Sequence, residues 1–371
     1  MMTTTMSMSM SKSRRRLVVM SDGVIVSKEE APPIKEFLEG NGGGAYTTTR
    51  THNNSDSLLF WDRHFHRLSH DVHLLSNQAP HLLLSSSHSP PPPHIIQLPP
   101  TWQPTLHASL SKLFSFAFNN HNHPSHSDSE LAITTLVTAT ASSSSSGSSS
   151  SYILNVHLHL DSYVPPAFGV PAHLALAGYG RPLPAAAAKY SLWVRNRSIL
   201  QNLRPPSVTE LLLSNDGHHI LEGSITNFFV VSRKKRDSDD GKAMHDFGNK
   251  YPFEVQTAPI SDGVLPGIIR QLVLEVCRSE GIPIREIAPS WSEREIWEEA
   301  FITNSLRLLQ HVDSIQVPTD WQSAHSKTWK DISWTKKQFL GKPGMITTII
   351  LEKIMDKAIL EGYPISNICA W

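Results

Sequence analysis

Alternating apolar positions near the start of the sequence predict strands, and a helical pattern follows them. Residues 17–20 and 24–26 are apolar runs that flank Ser21-Asp22-Gly23, a turn sequence typical of a β-hairpin. Residues 45–50 predict a further strand after a glycine-rich turn, because Thr and Tyr favour extended backbone. Residues 64–75 repeat apolar side chains at helical spacing and predict an amphipathic helix.

Later segments mix the same two patterns. Apolar residues recur at helical spacing in residues 106–118 and 267–281, and Gly281 can end the second of these helices. Short β-branched or aromatic runs predict strands at residues 152–160, 208–213, 225–231 and 301–303. Because helices and strands are interspersed, the expected fold class is α/β or α+β.

Two polar segments and one segment rich in Pro, Ala and Gly divide the chain. Residues 84–101 are rich in Ser and Pro, and residues 119–151 in His and Ser, so both are predicted to be surface insertions. Residues 166–188 are expected to connect two domains. The predicted organisation is a disordered N-terminus at residues 1–16, a smaller α/β domain at residues 17–165 and a larger C-terminal domain at residues 189–371.

Composition narrows the class of protein. The 371 residues include 33 basic and 33 acidic side chains, so no basic excess favours nucleic acid or an anionic membrane as a partner. Cys277 and Cys369 are the two cysteines, which argues against a disulfide framework and fits a reducing compartment. Histidines occur in pairs two residues apart but without a third ligand, so no metal site is expected.

The N-terminus and the lack of long apolar runs bear on location. No apolar run approaches the roughly 18 residues that a membrane helix needs, so we expect no membrane partner and a cytoplasmic protein. The first 16 residues lack acids and are rich in Ser, Thr, Met and Arg, as organellar transit peptides are. The chloroplast is therefore the alternative location.

Glu222-Gly223 stands directly before a predicted buried strand, which is an unusual position for a charge. A buried carboxylate is costly unless a cation pairs with it, and a protonated pyridine is one such cation. Pyridoxal phosphate (PLP) contains such a ring, so the pattern suggests a PLP site. Taken alone, the same residue also fits an exposed carboxylate at the end of a strand.

Three further segments could complete a PLP site. Lys189 follows an alanine run and could bind the cofactor as a Schiff base if burial lowered its pKa. Residues 264–270 place Pro266-Gly267 at a helix start, where free N–H groups can hold a phosphate. Arg67 carries a guanidinium that matches phosphate oxygens. Each segment alone also has an ordinary structural interpretation.

In combination, these motifs resemble the class IV aminotransferases, a family of PLP fold type IV. That family includes branched-chain aminotransferases, D-amino acid aminotransferases and aminodeoxychorismate lyases. The resemblance is strongest over residues 189–312, and the plant D-amino acid aminotransferase-like proteins look most similar. The matching segments, in chain order, are His64-Phe65-His66-Arg67-Leu68, Lys189, residues 222–229, residues 265–270 and residues 301–305.

The resemblance implies a two-domain protein with PLP in the cleft between the domains, usually as a homodimer. It implies a transaminase that moves an amino group between an amino acid and a 2-oxo acid, with Lys189 as the catalytic residue. The PLP-binding residues that it implies are Arg67, Lys189, Glu222, Gly267, Ile268, Ile269 and Ser305.

Three departures from the family pattern leave the reaction open. Ile269 replaces a Thr or Ser of the phosphate site, and Leu192-Trp193-Val194 is bulkier than usual. Leu306 stands where aminotransferases often have a second Thr, and Asn304-Ser305-Leu306 looks like the lyase branch. One alternative is therefore a PLP-dependent lyase that eliminates pyruvate from a chorismate-like substrate. Another is a weakly catalytic family member that acts as a binding protein.

Overall fold

The strands of the chain form two sheets with helices packed on them. The computed structural model describes residues 16–27, 31–85, 102–119, 130–141, 152–234 and 251–369. The strands are β1 Arg16–Ser21, β2 Val24–Ser27, β3 Ala45–His52, β4 Ser57–Leu58, β5 Glu130–Ala141, β6 Tyr152–Tyr163, β7 Ala172–Gly178, β8 Glu210–Leu213, β9 Glu222–Gly223, β10 Asn227–Arg233, β11 Phe253–Thr257, β12 Ile284–Glu286, β13 Trp297–Asn304, β14 Leu308–Pro318, β15 Trp334–Gln338 and β16 Tyr363–Pro364. The helices are α1 Ile34–Gly40, α2 Trp61–Gln78, α3 Trp102–Asn119, α4 Leu192–Ser198, α5 Ile268–Glu280, α6 Trp321–Ala324, α7 Met345–Leu360 and α8 Ile365–Cys369.

The first sheet is antiparallel and has the strand order β16-β4-β3-β5-β6-β1-β2. α2 and α3 cover it, and their apolar faces share one core with the sheet. Leu68, Val72 and Leu75 of α2 are fully buried there, as their helical spacing predicts. The helix predicted at residues 64–75 is confirmed and extends by one turn or less at each end.

The second sheet closes on itself. Its order is β12-β11-β10-β13-β14-β7-β8-β9, and β9 pairs with β10 as well as with β8. Strands β7, β8, β9, β10, β13 and β14 therefore form a small barrel, filled by apolar side chains such as Phe228, Ile302 and Ile315. α5 and α7 pack on the outside, against Phe229 and Phe301.

α5 begins and ends at glycines, as the sequence predicts. Gly267 precedes the first helical residue with extended backbone, and Gly281 follows the last with φ 69°, in the left-handed region that favours glycine. No side chain caps the start of this helix. The N–H groups of its first turn thus remain without an intrahelical acceptor.

The predicted insertion at residues 119–151 is wrong for residues 130–141. These residues form β5, which pairs along most of its length with β3 and β6 in the middle of the first sheet. Thr134, Thr135 and Thr138 are buried in this strand. A threonine-rich run is polar in composition, but its β-branched side chains favour extended backbone, and these residues therefore form a strand. Residues 120–129 and 142–151 of this insertion, residues 86–101 of the other one and residues 1–15 lie outside the described residues.

The predicted connection at residues 166–188 is also wrong in part. Residues 172–178 form β7, a buried strand that runs parallel to β8 and β14 in the barrel. Strands that are buried on both faces carry continuous apolar runs, and Ala and Gly are acceptable where packing is close. The last described residues also differ from the prediction, which placed them in the C-terminal domain. β16 pairs with β4 of the first sheet, and α8 packs on α3, which covers that sheet.

No helix in the described ranges combines the length and the apolar character that would let it cross a membrane.

Candidate active site

One cavity of about 400 Å³ lies between the two sheets. β3 and α2 contribute residues to one side, and β9, the start of α5 and the turn between β13 and β14 contribute to the other. It is lined by every site residue that the sequence predicted, namely Arg67, Lys189, Glu222, Gly267, Ile268, Ile269 and Ser305. The fold therefore brings together side chains from distant parts of the sequence.

Lys189 is fixed through its backbone. Its N–H donates to Asp71 Oδ2 at 3.2 Å, and its carbonyl accepts from the N–H of Tyr46 at 2.9 Å. The Nζ atom lies 4.6 Å from the centroid of the Tyr46 ring. Burial lowers the pKa of Lys189, the Tyr46 phenol opposes this shift, and nearby arginines add to it. A lysine in this setting presents a neutral, nucleophilic amine more readily than a solvated lysine does.

Tyr46 of β3 faces two cations in the cavity. Burial by itself raises the pKa of the phenol, but charge and hydrogen bonding from Lys189 and Arg197 outweigh burial and lower the pKa to about 8. The tyrosine side chain is only 4% exposed. The sequence pattern does not single out Tyr46, because a tyrosine in a strand most often serves packing.

Glu222 is buried and accepts three hydrogen bonds from protein groups. Oε1 accepts from Arg181 Nε at 3.1 Å, while Oε2 accepts from Asn227 Nδ2 at 3.2 Å and from the N–H of Leu265 at 3.1 Å. Burial raises the pKa of Glu222, and the charge of Arg181 opposes that shift. The sequence pattern suggested a pyridine as the cationic partner. Within the chain the cationic partner is Arg181, and the pyridine partner stays a prediction.

The start of α5 forms a second wall of the site. Gly267, Ile268 and Ile269 line the cavity, so the free N–H groups of the first helical turn lie beside it. A Cβ atom at Gly267 would overlap the side-chain oxygen of Asn227. The glycine is therefore required by the close approach of Asn227, whose Nδ2 also donates to the carbonyl of Leu265 at 2.9 Å.

Arg67 lies on α2 with its guanidinium buried. Nη2 donates to Thr47 Oγ1 at 2.7 Å, and Nε lies 3.8 Å from Asp71 Oδ2. Burial lowers the pKa of Arg67, and Asp71 opposes the shift. Asp71 stands four residues after Arg67 on the same helix face, a spacing from which the pair could have been predicted.

Four buried polar atoms along the cavity have no hydrogen-bond partner among the described residues. They are Arg67 Nε, Arg181 Nη2, Thr226 Oγ1 and Thr303 Oγ1. Native proteins rarely leave buried polar groups unpaired. Together with the free N–H groups of α5, these atoms form a donor set that fits a ligand with several anionic oxygens, as a phosphate has.

The turn that carries Ser305 is held by side chains on both sides. Asn304 Oδ1 accepts from the N–H groups of Leu306 at 3.1 Å and Arg307 at 2.9 Å. Arg50 of β3 donates from Nε to the carbonyl of Leu306 at 2.8 Å. Ser305 and Leu306 both line the cavity. The turn is thereby tied to the first sheet, which closes one side of the site.

Two residues shortly after Lys189 also line the cavity, Trp193 and Val194. Trp193 Nε1 donates to the carbonyl of Ser224 at 3.0 Å. The bulky side chains that depart from the family pattern are therefore part of the cavity wall.

Within the described ranges, no group of three or more His, Cys, Asp or Glu side chains is arranged to hold a metal ion.

Comparison with known families fixes the broad class of the protein. The model for amino-transferase class IV matches residues 44–315. The chain belongs to this family. The match spans the cavity lining from Tyr46 to Leu306, so the predicted resemblance is confirmed. No match was found among curated proteins.

Solved structures with the same fold include three branched-chain aminotransferases. The protein from Thermoproteus uzoniensis, with norvaline, has a TM-score of 0.60 and 17% identity, and the similarity covers 95% of this chain and 100% of that one. The T.th. enzyme, complexed with N-(5'-phosphopyridoxyl)-L-glutamate, has a TM-score of 0.59 and 15% identity over 94% and 96% of the two chains. The enzyme from Thermobaculum terrenum in its PLP form has a TM-score of 0.58 and 14% identity over 96% and 97%. These similarities show that the fold is PLP fold type IV, as predicted.

Proposed function

We propose that this class IV aminotransferase family member binds PLP in the cavity and moves an amino group between an amino acid and a 2-oxo acid. The observation that carries the proposal is a half-buried lysine in the same cavity as a buried carboxylate and an uncapped helix start. PLP supplies an electron sink for the substrate α-carbon when it is bound. The chain's own residues hold the ring and move protons.

Lys189 has two roles in this proposal. Its Nζ would hold the cofactor, and the same amine would move a proton at the substrate α-carbon, first as a base and then as an acid. The lowered pKa of Lys189 favours the neutral amine that the first role needs. The Tyr46 ring, 4.6 Å from Nζ, stabilises the ammonium form that arises when the proton is taken.

Glu222 would accept a hydrogen bond from the protonated ring nitrogen of the cofactor. Its two oxygens accept three hydrogen bonds within the chain, whereas a carboxylate can accept about four. One acceptor position is therefore left for a ring N–H. Arg181 favours the ionised form of Glu222 against the effect of burial, which the protonated ring requires.

The phosphate end of the cofactor belongs at Arg67 and the start of α5. The unpaired Nε of Arg67 and the N–H groups of the first helical turn supply donors there. Ile269 lacks a hydroxyl, but its backbone N–H remains available. Ser305, on the turn beside α5, can add a hydroxyl to the same end of the cavity.

A cofactor spectrum tests the proposal. Purified protein supplied with PLP should show the visible absorbance of a lysine-bound cofactor, and Lys189→Ala should abolish it. Lys336→Ala, at an exposed lysine on β15, is the matched control and should keep the band. A panel of D- and L-amino acids should then convert the band to the pyridoxamine form. Failure of every amino acid to do so contradicts transamination.

A lyase is the second function to be tested, because the Asn304-Ser305-Leu306 turn lines the cavity. Pyruvate released from a chorismate-like substrate without any amino acceptor would favour the lyase over the transaminase.

The homodimer implied by the family resemblance stays a prediction, which analytical ultracentrifugation of the purified protein checks.

A further inference from the structure

Ion pairs account for three of the five cations that line the cavity, and these pairs are Arg67–Asp71 at 3.8 Å, Arg181–Glu222 at 3.1 Å and Lys35–Glu39 at 3.9 Å. Lys189 and Arg197 form no ion pair with a carboxylate in the described ranges. Lys189 already has a role in the proposed chemistry. Arg197 is therefore the cavity cation whose charge the proposed function leaves without a use.

Arg197 is well placed to meet a ligand. It lies on α4, which begins three residues after Lys189, and its side chain is half-buried at the cavity wall. Arg197 and Lys189 both contact the Tyr46 phenol, so the two cations lie beside the same side chain. A group bound by Arg197 would thus place its neighbouring carbon atoms near the Nζ of Lys189.

Glu210 is an acid whose charge interacts with Arg197, but the two form no ion pair among the described residues. Glu210 of β8 lies behind Ser224, whose Oγ donates to Glu210 Oε1 at 2.7 Å. Burial raises the pKa of Glu210, while Ser224, Arg307 and Arg197 oppose the shift. Glu210 is 3% exposed and forms no ion pair among the described residues, so burial favours its neutral form. The positive charge of Arg197 is therefore left for a ligand.

We propose that Arg197 binds the carboxylate of the substrate and makes this cavity select amino and 2-oxo acids over plain amines and aldehydes. This inference rests on the proposed function and names a residue that selects its substrates. A guanidinium presents two parallel N–H donors that match a carboxylate, and such charge-assisted pairs are strong when partly shielded from water.

Binding of a ligand that cannot react tests the inference without turnover. Butanoate and its neutral analogue butanamide are titrated by calorimetry into PLP-supplied wild-type protein, Arg197→Gln and Arg195→Gln. Arg195 lies on the same helix but is exposed and outside the cavity lining, so it is the matched control. We expect Arg197→Gln to bind butanoate roughly tenfold to a hundredfold more weakly than the wild type, and Arg195→Gln to bind it equally well. Butanamide should bind all three proteins alike.

Arg197→Lys keeps the charge without the planar fork and should restore part of the affinity. Equal butanoate affinity in wild type and Arg197→Gln overturns the inference, and so does a wild-type protein that does not prefer butanoate to butanamide. The two proposals fail separately. Butanoate binding that depends on Arg197, without pyridoxamine formation from any amino acid, contradicts the transaminase but retains the carboxylate site.

Discussion

Two arginine–carboxylate clusters tie distant segments of the chain together, and they differ in burial. In the cavity, the side chains of Arg181 and Glu222 are 3% and 6% exposed. On the outside, Arg63 of α2 donates two hydrogen bonds each to Glu275 of α5 and to Glu361 after α7. These three side chains are 26%, 37% and 31% exposed.

The difference in burial affects what each cluster can contribute to the stability of the fold. Removing two charges from water costs several kcal/mol per ion, so a buried pair is weak evidence for added stability. An exposed pair costs less to form and contributes little, although a bidentate network contributes more than an isolated pair. Arg63 fits a role in joining helices from the two sheets. Stability does not explain why Glu222 and Arg181 are buried together, whereas the proposed function, which needs an ionised acid in the cavity, gives a reason for it.

The same substitution in both clusters should affect activity very differently. Glu222→Gln removes the carboxylate that the proposed function assigns to the ring nitrogen, and we expect kcat to fall by roughly tenfold to a hundredfold, since hydrogen bonds to charged groups contribute about 1.5–3 kcal/mol. Glu275→Gln removes a carboxylate of the exposed cluster and should leave kcat unchanged. Steady-state kinetics with the best amino acid of the panel measures both. A Glu222→Gln variant with wild-type kcat would remove Glu222 from the chemistry.

Replacing the arginine of each cluster should change the stability of the fold by different amounts. Arg181→Met leaves Glu222 buried without a cation, and breaking a buried pair on one side typically costs about 3–5 kcal/mol. Arg63→Met should lower the free energy of unfolding by less than Arg181→Met does. Urea unfolding at neutral pH gives the two free energies of unfolding. If Arg181→Met were no less stable than Arg63→Met, the buried pair would not need its cation, and Glu222 would be neutral in the folded protein.

The residues of the site could be predicted from the sequence better than the order of the strands. Lys189, Glu222 and the start of α5 each carry a local pattern, such as Pro-Gly at a helix start or Glu-Gly before a strand. Their family spacing made each pattern more specific. The start of α5 at Gly267 is confirmed, because the Pro-Gly signal lies within a few residues of the helix and is therefore local.

Contacts between distant segments were missed. Arg181 precedes Glu222 by many residues and lies in a segment that composition assigned to a connection, so nothing local marks the pair. β5 and β7 were missed because Thr-rich and Ala-rich runs were judged by polarity and size, although partners on both sides bury them in the sheets. Arg197 and Tyr46 meet through tertiary packing, for which one sequence carries no signal.

The pH dependence should differ between the two arginine variants. Burial raises the pKa of Glu222, and Arg181 opposes the shift, so Arg181→Met raises that pKa further. A carboxyl group with a raised folded-state pKa destabilises the fold when it is ionised. The loss in Arg181→Met is therefore largest above this raised pKa and shrinks as pH falls towards the ordinary value of about 4.3. Unfolding free energies at pH 8 and pH 5 measure the change, and an equal loss at both pH values would contradict a raised pKa.

Arg63→Met should give the smallest loss of unfolding free energy, and this loss should change with pH in a more acidic range. Hydrogen bonds from Arg63 lower the pKa of Glu275, so this group contributes stability that is present above about pH 4.3 and is lost as pH falls through its lower folded-state value. Because the cluster is partly exposed, solvent screens it, and we expect a loss of about 1 kcal/mol at pH 7 that shrinks in high salt. Between pH 8 and pH 5 the loss should stay constant, in contrast to Arg181→Met. Urea unfolding at low and high salt checks the screening, and a loss insensitive to salt would place Arg63 among the buried pairs.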